Sequence, residues 1–244
     1  MTNKTRTLFP TPDSRLPTPD SRLPMLELFY GGTFDPVHNG HLAIARAARD
    51  EIACEVRLMP AADPPHRAPP GAGALQRAAM LDLAVAGEEG LRVDRRELSR
   101  PGRSYTVDTL RELRDELGPM QPLALLIGAD SFIGLPGWRE WQSLFDLAHF
   151  VVAPRPGSPL DDELPAELLA ATQARWTRFP TDLKASPAGR LYRLDEPLHP
   201  ESASEIRRRI AENGPWRQLV PTPVAGFITT NGLYSGAAAN PSPL

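Results

Sequence analysis

Phe29-Tyr-Gly-Gly-Thr-Phe-Asp-Pro-Val-His-Asn-Gly-His-Leu42 is the stretch around which the rest of the chain is arranged. An apolar run over residues 26–30 leads into it, the pattern breaks at Gly31 and Gly32, and a helical pattern follows over residues 40–52. A short apolar run that ends at glycine is typical of a buried strand followed by a turn. The stretch therefore predicts a strand, a glycine turn and the N-terminus of a helix, in that order.

This turn is a candidate phosphate-binding site. A helix N-terminus that follows a glycine turn presents backbone N–H groups and the positive end of the helix dipole to an anion. Gly31 and Gly32 have no Cβ, so the main chain can approach a ligand closely. His38 and His41 are three residues apart at the mouth of the turn, and imidazoles can donate hydrogen bonds to phosphate near neutral pH. Any one of these features is common in structural roles, but their combination favours a functional site.

The rest of the chain alternates apolar runs with helical patterns, which is typical of an α/β fold. The run 122–128 is the longest unbroken apolar one and suits the centre of a parallel sheet. Ligands bind at the carboxyl ends of the strands in such sheets. The further predicted strands are residues 56–60, 91–94, 122–128, 149–153 and 191–194, and the predicted helices are 76–85, one ending near 117, 163–172, one starting near 200–204 and 220–234.

Two of the predicted helices start with hydroxyl residues. Ser104 or Thr106 is expected to cap the helix that ends near residue 117, and Ser202 or Ser204 the helix that follows residue 200. Arg207 lies in the first turns of the latter helix, which makes this N-terminus a second candidate site for phosphate.

Other polar residues follow the predicted strands. His66 and Arg67 lie in a proline-rich loop after the second strand, where composition alone predicts only a surface loop. Asp130 follows Gly128 at the end of the central strand, at the usual edge of a binding site. Trp138 precedes Trp141 by three residues, a spacing typical of core packing, although one ring at a cleft could stack on a ligand.

Composition limits the class of protein. The 244-residue chain has a net charge of −3 and a pI of about 6.0, so no nucleic-acid or anionic-membrane partner is expected. Its single cysteine, Cys54, excludes an internal disulfide and fits a reducing compartment. We find no apolar run of membrane-spanning length and no secretory signal, so we expect a soluble cytoplasmic enzyme.

Domain boundaries follow from composition as well. The heptapeptide Pro-Thr-Pro-Asp-Ser-Arg-Leu occurs twice, at residues 10–16 and 17–23. Such proline-rich polar sequence buries too little surface to offset its ordering entropy. We expect a disordered tail over residues 1–24, one folded domain over 25–234 and a frayed tail over 235–244.

The first stretch resembles the nucleotidylyltransferase signature, a Thr-x-Asp-Pro-x-His-x-Gly-His run after the first strand of a Rossmann-like domain. The segment Ser202-Ala-Ser-Glu-Ile-Arg207 resembles the second motif of that superfamily, Ile-Ser-Ser-Thr-x-Ile-Arg, with Glu201 in place of an apolar residue and Ala203 in place of a serine. Further segments, in order over residues 26–234, resemble the bacterial nicotinate-mononucleotide adenylyltransferases: Pro64-Pro-His-Arg67, Arg96-Glu-Leu98, Ser104-Tyr-Thr106, Ile127-Gly-Ala-Asp130 and Trp138.

This resemblance implies a Rossmann-like, doubly wound parallel sheet of the nucleotidylyltransferase type. It also implies transfer of AMP from ATP to nicotinate mononucleotide, giving nicotinate adenine dinucleotide and pyrophosphate in NAD synthesis. The acceptor's 5′-phosphate is already a nucleophile, so we expect direct in-line attack on the α-phosphorus, without a covalent enzyme intermediate. Mg²⁺ would bridge phosphate oxygens while keeping its waters, so no protein residue is predicted as a metal ligand.

The resemblance assigns roles to individual residues. The catalytic residues would be His38, His41 and Arg207. ATP would be bound by Gly31, Gly32, Thr33, Phe34, Gly40, Ser202, Ser204 and Arg207, and the acceptor by His66, Arg67, Thr106, Gly128, Asp130, Trp138 and Arg155.

Other functions remain open from sequence. The acceptor could be nicotinamide mononucleotide or phosphopantetheine. A ring with a carboxylate favours backbone donors, whereas one with an amide also needs an acceptor, and the sequence does not show which main-chain groups face the ring. A class I aminoacyl-tRNA synthetase also has a His-x-Gly-His run, but this chain is short, lacks a basic surface and has no Lys-Met-Ser-Lys-Ser loop. A nucleotide-binding regulator without catalysis is a further alternative, against which the two histidines and Arg207 argue. No pattern predicts the oligomeric state.

Overall fold

A seven-stranded sheet forms the centre of the fold, and every pair of neighbouring strands in it is parallel. The computed structural model describes residues 24–62, 71–100, 104–154, 160, 164–195 and 201–235. The strands are β1 (Glu27–Gly32), β2 (Val56–Pro60), β3 (Leu91–Val93), β4 (Leu123–Gly128), β5 (His149–Ala153), β6 (Trp176–Thr177) and β7 (Leu191–Arg193), arranged in the order β3-β2-β1-β4-β5-β7-β6. This arrangement confirms the predicted α/β fold with a parallel sheet.

Helices cover both faces of the sheet. They are α1 (Asn39–Ile52), α2 (Ala74–Val85), α3 (Thr106–Leu117), α4 (Ala129–Ile133), α5 (Leu144–Leu147), α6 (Ala166–Thr172), α7 (Ala203–Ala211) and α8 (Thr222–Thr230). The buried side chains of α1, α2, α7 and α8 belong to one apolar cluster and those of α3, α4, α5 and α6 to another. Strand β4 contributes to both clusters, with Ala124 and Leu126 in the first and Leu125 and Ile127 in the second. This alternation follows the two-residue period of a strand and explains why the sequence of β4 is continuously apolar.

Several boundaries differ from those predicted. Helix α3 has Tyr105 as its N-cap residue, without a side-chain cap, so the prediction that Ser104 or Thr106 caps it is wrong. Thr106 is instead the first residue of the helix. The edge strand β6 was not predicted, because two residues are too short to show any periodicity.

The predicted cap at the other helix is confirmed, since the Ser202 Oγ accepts a hydrogen bond from the amide of Glu205 at 3.2 Å. Cys54 is buried beside β2, and burial raises the pKa of its thiol to about 12. Among the described residues, no helix is long and apolar enough to cross a membrane.

The predicted terminal tails lie mostly outside the described residues, which begin at residue 24 and end at residue 235. The division into tails and one domain therefore stays a prediction.

Candidate active site

The candidate site is a crevice at the carboxyl ends of β1 and β4. Strand β1 has β2 on one side and β4 on the other. The helix that follows β1 packs on one face of the sheet, whereas α3, which precedes β4, packs on the opposite face. The connections diverge at this point, and such a switch point opens a crevice in a doubly wound sheet.

Two cavities meet in this crevice. The first has a volume of about 540 Å³ and lies between the β1–α1 turn, the end of β4 and the start of α7. The second has a volume of about 370 Å³ and lies between the same turn, the start of α3 and the segment around Trp138. Their shared wall consists of Gly31, Gly32, Thr33, Asp130 and Ser131.

The glycine turn has a tightly packed backbone. A Cβ on Gly32 would lie 2.9 Å from the ring of Phe34, so only glycine fits beneath that ring. Phe34 itself has a φ of 51°, in the left-handed region that a bulky residue rarely adopts. Backbone strain of this kind persists where the surroundings hold it, and it is concentrated at binding sites.

His38 and His41 lie side by side at the start of α1 and both line the first cavity. Their rings stack with centroids 3.7 Å apart, and the backbone amide of His38 donates to the His41 Nδ1 at 3.2 Å. Because Nδ1 accepts this hydrogen bond, the neutral His41 ring carries its proton on Nε2. His41 can therefore donate from Nε2 to an anion without first taking up a proton.

Asp35 joins three distant segments beneath the first cavity. Its buried carboxylate accepts hydrogen bonds from the amides of Gly71 and Ala72, at 2.8 and 3.0 Å, and from the Tyr234 hydroxyl at 2.7 Å. Burial and the nearby carboxylate raise the pKa of Tyr234, so the hydroxyl remains a donor. With its oxygens occupied in this way, Asp35 acts as a structural anchor and not as a proton acceptor in a reaction.

Arg207 reaches the first cavity from α7. Its guanidinium donates to the Asp35 carbonyl oxygen at 2.5 Å and lies 3.5 Å from the Asp35 carboxylate. These contacts connect the second sequence motif to the first across the crevice. Ser202 caps the same helix, Ser204 is exposed in its first turn, and Glu201 adds a carboxylate to the wall of the cavity.

The second cavity has an apolar and aromatic character. Trp138 is half-buried and packs against the apolar cluster on the α3 face. Arg139 lies over the ring of Tyr105, with its guanidinium carbon 5.0 Å from the ring centroid. Among the described residues that line this cavity, Arg139 is the one cation, and the carboxylates are Glu97 and Asp130.

Glu97 is a buried carboxyl group in the wall of the second cavity. It is 6% exposed and accepts a hydrogen bond from the Thr109 hydroxyl at 2.8 Å. Burial raises the pKa of Glu97, against the smaller opposing effects of Thr109 and Arg100. The hydrogen bond connects α3 to the segment that precedes it and so shapes this side of the cavity.

The structure brings most of the predicted site residues together. Those that line the first cavity are Gly31, Gly32, Thr33, Phe34, His38, Gly40, His41, Gly128, Asp130, Ser202, Ser204 and Arg207. Thr106 and Trp138 line only the second cavity, and Asp130 lines both. Gly128, which was also predicted to bind the acceptor, lines only the first. Three further predicted residues, His66, Arg67 and Arg155, lie outside the described residues.

Some residues of the site were not predicted. Ser131 and Arg139 line the cavities, and each is adjacent to a predicted residue. Arg77 is a fully buried arginine beneath the glycine turn. Its sequence position offered a signal, because it is spaced as part of the apolar face of α2 with Met80, Leu81 and Ala84. A charged residue on an apolar helical face is buried at a cost, so it indicates a specific partner.

The chain is similar to known proteins over most of its length. A family described as cytidylyltransferase-like matches residues 29–209. A probable nicotinate-nucleotide adenylyltransferase of Stenotrophomonas maltophilia is 61% identical over 214 residues, which cover 86% of this chain and 96% of that protein. One from Xylella fastidiosa is 47% identical over 213 residues, with the same coverage of both chains.

Solved structures share the fold. A Plasmodium falciparum nicotinic acid mononucleotide adenylyltransferase complexed with NaAD superposes with a TM-score of 0.66, covering 86% of this chain and 97% of that one. Its identity is only 16%, so this likeness concerns the fold alone. The extensive identity to the bacterial relatives, over nearly their whole length, goes further: the chain belongs to the nicotinate-nucleotide adenylyltransferase family.

Proposed function

We propose that the two cavities hold the two substrates of an adenylyl transfer, with ATP in the first and nicotinate mononucleotide in the second. The observation that carries this proposal is the wall shared by the cavities. Two nucleotides bound on either side of Gly31, Gly32 and Thr33 would bring their phosphates together there. Asp130 lies on the same wall and is suited to bind a ribose hydroxyl.

In the reaction, an oxygen of the acceptor's 5′-phosphate attacks the α-phosphorus of ATP. The new P–O bond forms in line with the bond between the α-phosphorus and the oxygen that joins it to the β-phosphate. That bond breaks, and pyrophosphate leaves with its electron pair. No protein nucleophile is needed, so the protein acts by positioning and by stabilising negative charge. His41 would donate from Nε2 and Arg207 would supply a cation to the triphosphate, with the backbone of the glycine turn and the hydroxyls of Ser202 and Ser204 completing its contacts.

Trp138 would stack on the pyridine ring of the acceptor, and Thr106 would lie on the acceptor side of the site. The aromatic and apolar lining of the second cavity supports this assignment. His66, Arg67 and Arg155 would contribute from the segments outside the described residues.

Mg²⁺ is proposed as the metal that accompanies ATP. Within the described part of the chain no group of three His, Cys, Asp or Glu side chains could hold a metal ion. The ion would therefore be carried by phosphate oxygens and water, a mode of binding that Mg²⁺ favours. Bound in that way it would neutralise charge on the phosphates. We also propose a cytoplasmic location, for which the single buried thiol is the support.

The test is pyrophosphate release with ATP and Mg²⁺, comparing nicotinate mononucleotide, nicotinamide mononucleotide and phosphopantetheine, with His41→Ala as a control. We expect strong preference for the nicotinate nucleotide and loss of turnover in the variant. Preference for the amide would retain the reaction and overturn the proposed acceptor. Turnover with none of the three would contradict the enzyme function and favour a nucleotide-binding regulator.

A further inference from the structure

Arg77 is a charged side chain enclosed beneath the glycine turn. It has no exposed surface, and its guanidinium donates to four backbone carbonyls. The acceptors are the oxygens of Thr33 and Ala61, both at 2.7 Å, Ala62 at 2.8 Å and Ala72 at 3.2 Å. One side chain on α2 therefore joins the turn after β1, the end of β2 and the segment that leads into α2.

The hydrogen bond to Thr33 fixes the orientation of one peptide group. In a planar trans peptide the C=O and N–H bonds point in opposite directions. Because the Thr33 oxygen points to Arg77, the amide of Phe34 points away from this buried side. Both residues line the first cavity. The preceding peptide is fixed similarly, since the Gly32 oxygen accepts from the Ala61 amide at 2.9 Å.

The two amides that result have no protein acceptor in the described part of the chain. Neither the Thr33 nor the Phe34 amide donates to another described residue. Backbone amides that face a cavity in a turn of this kind form a concave site for anions. The left-handed backbone of Phe34 belongs to the same turn, and it needs contacts that hold it in place.

We propose that Arg77 is a positioning residue for the adenylyl transfer. It orients the Thr33–Phe34 peptide so that its amide binds the nucleotide phosphates, and it places a buried positive charge behind them. The proposal rests on the proposed function, since ATP is the anion expected in the first cavity. Arg77 itself touches no substrate, because it has no surface in either cavity.

Arg114 on α3 provides a matched control. It also donates to four backbone carbonyls, those of Leu147, Gly118, Gln121 and Pro187, at distances of 2.6 to 3.3 Å. These acceptors lie near the amino end of β4, whereas the crevice lies at the carboxyl ends of the strands. Replacing either arginine by lysine keeps the charge and removes the guanidinium, so both variants lose the same kind of contacts and only one loses them beneath the turn.

The experiment measures the dissociation constant of ATP with Mg²⁺ by calorimetry, without an acceptor, together with the melting temperature. We expect Arg77→Lys to weaken ATP binding by at least about tenfold, the loss typical of hydrogen bonds to a charged group. We expect Arg114→Lys to bind ATP within about twofold of the unchanged chain while also lowering the melting temperature. Equal ATP affinity in the two variants would overturn the proposal.

A measurement on the unchanged chain covers the case in which Arg77→Lys does not fold. Amide hydrogen exchange of Thr33 and Phe34 is followed with and without a non-hydrolysable ATP analogue. We expect protection of the Phe34 amide when the analogue binds, and unchanged exchange at that amide would overturn the proposal. If the chain binds ATP in this way but transfers AMP to no acceptor, the proposed reaction fails while the role of Arg77 in orienting the amide for ATP binding stands.

Discussion

The two cavities of the crevice are built from different chemical groups. The first is lined by backbone of the glycine turn, by the starts of α1 and α7 and by three basic side chains, His38, His41 and Arg207. The second is lined by aromatic and apolar side chains, with Arg139 as its cation among the described residues. In the proposed function, phosphate recognition in the first would depend on fixed donors, whereas ring recognition in the second would depend on shape.

This difference matches the two recognition tasks of the proposed function. A turn with oriented amides and a few cations suits the oxygens of a triphosphate. The acceptor would be recognised by the residues of the second cavity. Substitutions in the two cavities should therefore affect different kinetic parameters.

The largest expected effect is that of Arg207→Met, which removes a cation from the first cavity. We expect kcat/KM for ATP to fall by about 10²–10³-fold, the loss typical of a group that stabilises developing charge. The control is Arg208→Met on the same helix, where the side chain pairs with Glu205 and Glu212 at the surface. Kinetics of pyrophosphate release distinguish the two, and an equal loss in both variants would contradict a direct role for Arg207.

A smaller effect is expected for Trp138→Leu, which removes the proposed stacking surface of the second cavity. We expect KM for the acceptor to rise by about fivefold to tenfold, as for the loss of one aromatic stack, with KM for ATP unchanged. Trp141→Leu is the matched control, because Trp141 packs edge-on to Phe145 and lines neither cavity. A rise in KM for ATP of the same size would show that the two cavities do not recognise their substrates separately.

The same difference decides how much of the site could be predicted from sequence. Residues 29–42 carry strand, turn and helix start within 14 positions, so the order of the elements follows from local pattern alone. The continuous apolar run of β4 similarly predicts a central parallel strand. The cap pattern of a later helix, supported by resemblance to a known motif, then added Ser202, Ser204 and Arg207, which the structure places across the same cavity.

What sequence could not predict depends on contacts between distant segments. Asp35 was part of the first motif, but its hydrogen bond to Tyr234 spans 199 positions. Arg77 finds its acceptors on three segments that meet only in the folded sheet. The cap of α3 was wrongly predicted because hydroxyl residues at a helix start favour capping on average, whereas here Ser104 is buried and its Oγ is directed to the Glu97 carbonyl oxygen, 3.5 Å away.

Glu201→Gln tests the electrostatics of the first cavity with a smaller expected change. Glu201 stands where the superfamily motif has an apolar residue, and it places a carboxylate on the wall proposed for ATP phosphates. Removing its charge is expected to lower KM for ATP by about threefold at low ionic strength, with a weaker effect at high salt. Glu212→Gln at the exposed end of α7 is the control, and a higher KM in Glu201→Gln would show that the carboxylate supports binding.

The smallest effect on activity is expected for His149, which lies at the amino end of β5, away from both cavities. His149 is fully buried there, accepts from the Arg190 amide through Nδ1 at 2.9 Å, and its Nε2 lies 2.8 Å from the Ser186 carbonyl oxygen. Burial lowers the pKa of His149, the hydrogen bond to Ser186 opposes this effect in part, and the nearby Arg114 and Arg190 lower the pKa further. The folded chain therefore holds this ring neutral with its proton on Nε2.

This lowered pKa predicts a pH dependence of stability that activity at neutral pH would not reveal. As the pH falls below the ordinary value of 6.5, the unfolded chain binds a proton that folded His149 does not. The free energy of unfolding should then decrease, with a slope of up to about 1.4 kcal/mol per pH unit from this group. We expect His149→Gln to have a shallower slope between pH 7 and 5 in urea titrations and unchanged KM for both substrates. Parallel slopes for the two proteins would mean that other groups cause the acid sensitivity. Altered KM values would mean that the sheet transmits changes from the amino ends of its strands to the crevice.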